Sequence, residues 1–199
     1  MNVGAVSRPL PVVSAGDEEA NRLLDRMAAA PLGYFERRTL LKAARRLGTE
    51  PLQRLCEAGV KIRIPDDPNA MRAAYYPSTK TLSIAPRRLD VSTVLHELGH
   101  ALDDLAAPDE GEKPVLRSER DPKLQQLHQS YCQRVDELSW WQKFCSKTLW
   151  SDYARTSPQE YLAEGVMDFT RSPHHNQRLL QADPELHAYV QGLLVDISA

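Results

Sequence analysis

The sequence is poor in cysteine, which limits the kinds of site it can build. Three cysteines, Cys56, Cys132 and Cys145, lie far apart in a chain of 199 residues. Because no CxxC pair occurs, a zinc site made of cysteines is disfavoured. Free thiols in a reducing compartment are the simpler interpretation, and a single disulfide, such as one between Cys132 and Cys145, stays open.

Long apolar runs and an excess of one charge are also missing. No stretch is long enough to span a membrane, and residues 1–16 lack the apolar core of a signal peptide. We therefore expect a protein that stays in the cytoplasm or leaves the cell by a route without a cleaved signal. The formal net charge of −2 gives no reason to expect a nucleic-acid or membrane partner.

Composition and periodicity divide the chain into three parts. Residues 1–16, rich in Pro, Val, Ser and Gly, are predicted to be a mobile leader. Residues 17–58 are predicted to be an N-terminal helical segment, with helices at 17–30, 34–47 and 51–57. The basic pairs in the second of these helices are interpreted as a solvated helix face.

Residues 59–199 mix strands and helices. The predicted strands are 60–64, 73–76 and 81–84. The predicted helices are 91–106, 122–134, 136–149, 158–171 and 184–197. The segment 107–121, full of Pro, Gly and charge, is predicted to be a functional or mobile loop. A small sheet with helices segregated around it is an α+β arrangement.

One segment, VLHELGHAL, contains the pattern H-E-x-x-H. Residues four apart lie on one face of a helix, so His96 and His100 can offer two imidazole nitrogens to one zinc ion. Glu97 projects beside them, where it would take a proton from a zinc-activated water and pass it to the leaving amine. Chance gives this pattern in roughly one such chain in a hundred. An apolar stripe along the helix and Asp90 as its N-cap argue against two unrelated surface histidines.

Two histidines do not complete a catalytic zinc site, which takes three protein ligands and one water. No third histidine follows at the metzincin spacing, but Glu160 and Glu164 lie four apart in a predicted helix. Spacing alone does not choose between them, and Glu160 could instead form a capping box with Ser157. Asp103 and Asp104 lie on the histidine side of the first helix, where they either orient a histidine or belong to a solvated helix end.

Taken together, HELGHALDD and YARTSPQEYLAE resemble the catalytic domain of anthrax lethal factor and its relatives, which include the Pro-Pro endopeptidases. These proteins are gluzincin metallopeptidases. The resemblance covers both motifs and, more loosely, residues 60–199. It implies a zincin-like bilobed domain, in which a small twisted sheet lies over the active-site helix and the C-terminal lobe is helical. It also implies that residues 59–199 are a zinc metallopeptidase catalytic domain.

The resemblance assigns a role to each matching residue. It implies that Glu160 is the third ligand of one Zn²⁺ per chain, beside His96 and His100. It leaves Glu164 as a carboxylate that supports a ligand or faces the cleft. Tyr153, seven residues before Glu160, would donate a hydrogen bond to the developing oxyanion. The alternative for Tyr153 is an ordinary core or surface aromatic.

The expected activity is therefore that of a zinc-dependent endopeptidase acting on a protein substrate. The resemblance implies that the substrate lies extended along an edge strand, and Thr81 to Ala85 is the candidate strand. The family and the small size suit a bacterial toxin or translocated effector. The target does not follow from the motif. Two alternatives stay open: a zinc-stabilised binding module without turnover, and a helical adaptor without metal.

Overall fold

The protein is described by a computed structural model over residues 15–67, 69–107, 116–139 and 152–198. The helices of these ranges are α1 (Ala15–Met27), α2 (Tyr34–Leu47), α3 (Thr49–Glu57), α4 (Val91–Leu105), α5 (Arg117–Arg120), α6 (Pro122–Glu137), α7 (Pro158–Arg171), α8 (Pro173–Ala182) and α9 (Pro184–Ser198). The strands are β1 (Lys61–Arg63), β2 (Ala73–Tyr76) and β3 (Thr81–Ile84). None of the described helices combines the length and apolar character needed to cross a membrane.

The three strands form a small mixed sheet in the order β1-β3-β2. β3 pairs in parallel with β1 and antiparallel with β2. Leu82 and Ile84 on β3 are buried, whereas Thr81 and Ser83 are only partly covered. This alternation turns one face of the sheet toward the helices.

The prediction that Thr81 to Ala85 forms the edge strand is wrong. β1 pairs with β3 on one side, as in the pairs Lys61 with Thr81 and Ile62 with Leu82, and β2 covers the other side. β3 is therefore the central strand, and β2 is an edge of the described sheet. An alternating pattern reveals which face of a strand is buried, but not how many neighbours the strand has.

Helix α4 packs against the sheet, α2 and α7. Asp90 caps it as predicted, because its carboxylate accepts hydrogen bonds from the N–H groups of Ser92 and Thr93. A Cβ atom at Gly99 would lie 2.9 Å from Cα of Ala163, so glycine allows α7 to approach closely. The apolar stripe expected on α4 is buried at Val94, Leu95, Leu98 and Leu102.

The N-terminal helices belong to the same hydrophobic cluster as α4 and the sheet. Leu24 of α1, Leu40 of α2 and Leu55 of α3 are all buried in it. The chain leaving α1 also touches the sheet, where the N–H of Ala29 donates to the carbonyl of Ile62 at 2.8 Å. The helices that precede the sheet thus hold its β1 side in place.

Several predicted boundaries differ from the observed ones. Helix α6 continues unbroken to Glu137, whereas a break was expected near residue 135. Most of the predicted helix 136–149, and residues 1–14 of the predicted leader, lie outside the described residues. The predicted loop 107–121 contains the short helix α5. Helix α8 was not predicted, although Ser172 as N-cap and Pro173 at the first helical position form a recognisable start signal.

Candidate active site

The structure brings His96 and His100 of α4 together with Glu160 of α7. Oε2 of Glu160 lies 3.0 Å from Nε2 of His96 and 3.3 Å from Nε2 of His100. One donor atom from each residue lies within 4.8 Å of the others. A tetrahedral zinc ion with bonds of about 2.0–2.1 Å places its ligand atoms about 3.3 Å apart. The two imidazoles and the carboxylate therefore fit zinc in both chemistry and spacing.

Local structure explains why Glu160 reaches the histidines. It lies in the first turn of α7, where its N–H donates to Oγ of Ser157 at 3.2 Å. This is one half of the capping box that the sequence suggested. The carboxylate turns toward the imidazoles of α4 and does not bond back to the backbone of Ser157, so only the serine half of that capping box forms.

The electrostatics of the cluster favour a charged carboxylate. Burial acts to raise the pKa of Glu160, but its hydrogen bonds with His100 and His96 outweigh burial and hold the pKa at about 2. Burial acts to lower the pKa of His96, yet hydrogen bonds to Glu160 and Glu164 raise it to about 9. Glu160 is thus ionised throughout the physiological range, and His96 must release a proton before its imidazole can bind a metal.

A further carboxylate contacts the first histidine from the opposite side. Oε1 of Glu164, one turn after Glu160 on α7, lies 3.1 Å from Nδ1 of His96. An Nδ1–H group that donates to Glu164 leaves Nε2 free to face the cluster and fixes the orientation of the ring.

One more turn along α7, burial and the neighbouring Glu164 raise the pKa of Asp168 to about 6.

Asp103 and Asp104 contact other partners than the histidines. Buried Asp103 accepts hydrogen bonds from the N–H and the hydroxyl of Ser118, and burial raises its pKa to about 6. Asp104 accepts a hydrogen bond from the hydroxyl of Tyr75 at 2.6 Å. Asp103 thus anchors α5 to α4, and Asp104 anchors β2 to α4. Among the described residues, neither accepts a hydrogen bond from a histidine.

Glu97 lies beside the cluster and is only 6% exposed. Burial raises its pKa, while the backbone N–H of Tyr75 donates a hydrogen bond that opposes this effect. Tyr75 thus contacts two positions on α4, through its amide to Glu97 and through its hydroxyl to Asp104. Tyr75 was not among the predicted site residues, because nothing in a strand pattern shows which helix residue its backbone will meet.

Tyr153 lies in a turn at residues 152–156 and faces the same cluster. Its ring centroid is 5.6 Å from that of His96, and its hydroxyl hydrogen-bonds to Glu160. The side chain is 54% exposed, so it is not a core aromatic. The turn closes where the N–H and hydroxyl of Thr156 donate to the carbonyl of Tyr153.

Two cavities meet at this cluster, with volumes of about 640 and 390 Å³. Both are lined by residues of β2 together with Glu97 and Tyr153. The larger one extends toward Met71 and Arg88, and the smaller one toward Leu116 and Ser157. They form one groove that follows β2 across the cluster of His96, His100 and Glu160.

The comparisons with known proteins agree with this architecture. No protein-family model and no curated protein matches the sequence. The fold is similar to the solved structure of a Pro-Pro endopeptidase from Paenibacillus alvei, with a TM-score of 0.60 and 15% sequence identity. The similarity covers 86% of this chain and 99% of that chain. The chain therefore has the α+β, zincin-like fold of that endopeptidase, which confirms the predicted fold class.

Proposed function

We propose that the chain is a zinc-dependent endopeptidase that hydrolyses peptide bonds in a protein substrate. The observation that carries the proposal is the convergence of His96, His100 and Glu160 at a groove, with the carboxylate of Glu97 beside them. The likeness in fold to an endopeptidase supports it. A role as a toxin or translocated effector stays a prediction from the resemblance described above.

Glu97 is the general base of this proposal. A zinc ion held by His96, His100 and Glu160 would supply Lewis-acid activation of water. The Glu97 carboxylate accepts the proton of the attacking water and later donates it to the leaving amine. Burial raises the pKa of Glu97, which makes it a stronger base than an exposed carboxylate. The amide of Tyr75 donates a hydrogen bond to this carboxylate.

Tyr153 stabilises the negative charge that develops on the scissile carbonyl. Its hydroxyl lies at the cluster but belongs to a half-exposed side chain that lines both cavities. A substrate crossing the groove would therefore pass next to this hydroxyl, which would donate a hydrogen bond to the carbonyl oxygen.

The substrate lies extended along β2, because β2 is an edge strand and β3, the strand predicted for this contact, is central. The N–H of Ala85 donates to the carbonyl of Arg72, so this pair of residues is hydrogen-bonded. In an antiparallel pair of strands such as β2 and β3, hydrogen-bonded pairs recur at every second residue. By that alternation, Ala73 and Tyr75 turn their backbone groups away from β3. The amide of Tyr75 contacts Glu97, which leaves the N–H and C=O of Ala73 to pair with a peptide.

Cleavage of a quenched-peptide library by the zinc-loaded protein tests the proposal. We expect hydrolysis that a chelator abolishes and added zinc restores. The variant Glu97→Gln should keep its zinc but lose roughly 10²–10⁴-fold in rate, the usual contribution of a general base. Glu137→Gln, which changes an exposed carboxylate at the end of α6, serves as the matched control and should leave the rate unchanged.

The pattern of outcomes separates the alternatives. Zinc binding without any cleavage would favour a binding module, and absence of zinc would favour the adaptor. Cleavage that persists unchanged in Glu97→Gln would overturn the mechanism. The same library shows whether proline is preferred at the scissile bond.

A further inference from the structure

One face of α6 contacts the turn that carries Tyr153. His128, Cys132 and Asp136 follow each other at intervals of four residues, so they lie on one face of the helix. Each of them contacts the segment that follows Tyr153. Sequence analysis attached no function to this face.

The contacts run in order along the turn. Nε2 of His128 lies 3.2 Å from the carbonyl oxygen of Ala154, and Sγ of Cys132 lies 3.9 Å from that of Arg155. The carboxylate of Asp136 accepts a hydrogen bond from the Arg155 guanidinium at 2.5 Å. Two backbone carbonyls and one side chain of the turn are thus fixed by the same face of α6.

His128 is suited to donate a hydrogen bond at this place. Burial lowers its pKa, which favours the neutral imidazole with one N–H. The carbonyl of Ala154 can only accept a hydrogen bond, which places that proton on Nε2. Sγ of Cys132 lies 3.5 Å from the same Nε2, and its thiol can donate to the carbonyl of Arg155.

The same histidine links the turn to the helix that carries Glu160. Its ring packs against Tyr161, the next residue along α7, with centroids 5.6 Å apart. Tyr161 is buried, and its hydroxyl donates to Asp183 at 2.7 Å. The backbone of the Tyr153 turn is thus held to α7 through α6.

The orientation of Tyr153 depends on this backbone. More than half of its side chain is exposed, so apart from its contacts with His96 and Glu160 the ring has little packing to constrain it. The next residue, Ala154, is buried and fixes the point from which the tyrosine projects. Small displacements of a reacting group matter, because a shift of about 1 Å can cost roughly 10²-fold in rate.

We propose that His128 is a positioning residue, which sets the location of the Tyr153 hydroxyl through its hydrogen bond to the carbonyl of Ala154. This inference rests on the proposed peptidase function. His128 does not contact the reacting atoms itself. Cys132 and Asp136 contribute to the same effect from the next two turns of α6.

A double-mutant cycle on the zinc-loaded protein tests the proposal, with the library peptide that wild type cleaves fastest as substrate. His128→Leu should lower kcat by roughly tenfold to a hundredfold, with KM, zinc content and melting temperature little changed. His128→Gln keeps an N–H donor at a similar reach and should restore most of kcat. In the Tyr153→Phe background, His128→Leu should change kcat by less than about twofold, because its effect passes through the missing hydroxyl.

Hydrogen exchange supplies a readout that does not depend on activity. In His128→Leu, the amides of residues 152–156 should exchange faster than in wild type. Gln129→Leu makes the same kind of change at an exposed position of α6 and should alter neither exchange nor kcat. If His128→Leu does not fold, Asp136→Ala takes its place in the cycle, since the side chain of Asp136 is 63% exposed.

Two failures are distinguishable. If wild type cleaves no peptide, the proposed function fails, and the role of His128 in catalysis fails with it. If wild type cleaves but His128→Leu lowers kcat by the same factor with and without the Tyr153 hydroxyl, only the positioning role is overturned. Unchanged exchange at residues 152–156 would also overturn it.

Discussion

The two sides of the groove are built in different ways. On one side, His96 and His100 of α4 and Glu160 in the first turn of α7 form the candidate metal site. His96 is buried, the other two are partly buried, and the two helices pack closely. On the other side, the segment that leads into β2 and the Tyr153 turn present half-exposed side chains, Met71 and Tyr153. The helical side resembles a preformed core, whereas the other side presents an open surface.

This difference corresponds to two chemical tasks. Metal ligands must be held within a few tenths of an ångström, which packed helices achieve. Substrate contacts must admit an extended chain, so an open strand edge and a turn suit them better. We therefore expect substitutions on the helical side to change zinc affinity or stability, and those on the open side to change turnover.

On the open side, the largest expected effect is that of Tyr153→Phe. Removal of the hydroxyl should lower kcat by roughly 10²–10³-fold, the usual loss for one oxyanion donor. The melting temperature should stay at the wild-type value, because the side chain is half-exposed, and zinc affinity should fall less than in Glu164→Gln, because only the hydrogen bond to Glu160 is lost. Steady-state kinetics together with zinc titration measure both quantities. A loss of zinc in this variant would show that the two sides are not separate.

On the helical side, Glu164→Gln should weaken zinc binding by roughly 10–100-fold, as is typical for groups that orient a ligand histidine. The carboxylate contacts Nδ1 of His96 at 3.1 Å, and an amide accepts that hydrogen bond less strongly. Competition with a chelator of known affinity measures the change. An unaltered zinc affinity would mean that Glu164 does not support His96.

The packing of α4 on α7 should matter in the same way. Gly99→Ala places a Cβ 2.9 Å from Cα of Ala163, which only a movement of the backbone can relieve. We expect a loss of about 1–3 kcal/mol in stability, together with weaker zinc binding, because α7 carries Glu160. Gly165→Ala is the matched control. The Cβ added at Gly165 meets only the side-chain end of Leu186, so this variant should lose less stability and keep its zinc affinity.

The smallest expected effect is a pH dependence from Asp103. Its folded pKa of about 6 lies above the ordinary value of 3.8, so the carboxyl favours the folded state below about pH 4 and this contribution is lost as the pH rises through 6. Relative to Asp103→Asn, wild type should lose roughly 1–2 kcal/mol of stability between about pH 4 and pH 7. Urea unfolding with a chelator present measures this difference. If the stabilities of wild type and Asp103→Asn change with pH in parallel, the prediction is refuted.

The helical side was also the more predictable one. His96, Glu97 and His100 are four or fewer residues apart on one helix, so their arrangement follows from helical geometry. Glu160 and Glu164 were found from their spacing, but the choice between them required the resemblance to a family. Only the structure showed that Glu160 faces both imidazoles while Glu164 contacts Nδ1 of His96.

The open side depends on contacts between residues distant in sequence, which local patterns do not reveal. β2 is an edge strand because β3 lies between it and β1. The pair of Lys61 with Thr81 joins β1 to β3 across 20 positions of sequence. Tyr75 meets Glu97, and His128 meets Ala154, through the packing of separate elements. Helix α8 was missed for a different reason, since its start signal at Ser172 was present but not used.

X-ray absorption spectroscopy of the zinc-loaded protein tests the central claim most directly. We expect one zinc ion per chain, bound by two imidazoles and by oxygen ligands at about 2.0–2.1 Å. Glu160→Gln should weaken binding by more than the Glu164 variant does, and should remove an oxygen ligand. Sulfur ligation at about 2.3 Å, a single imidazole, or a protein that retains no zinc would contradict the account.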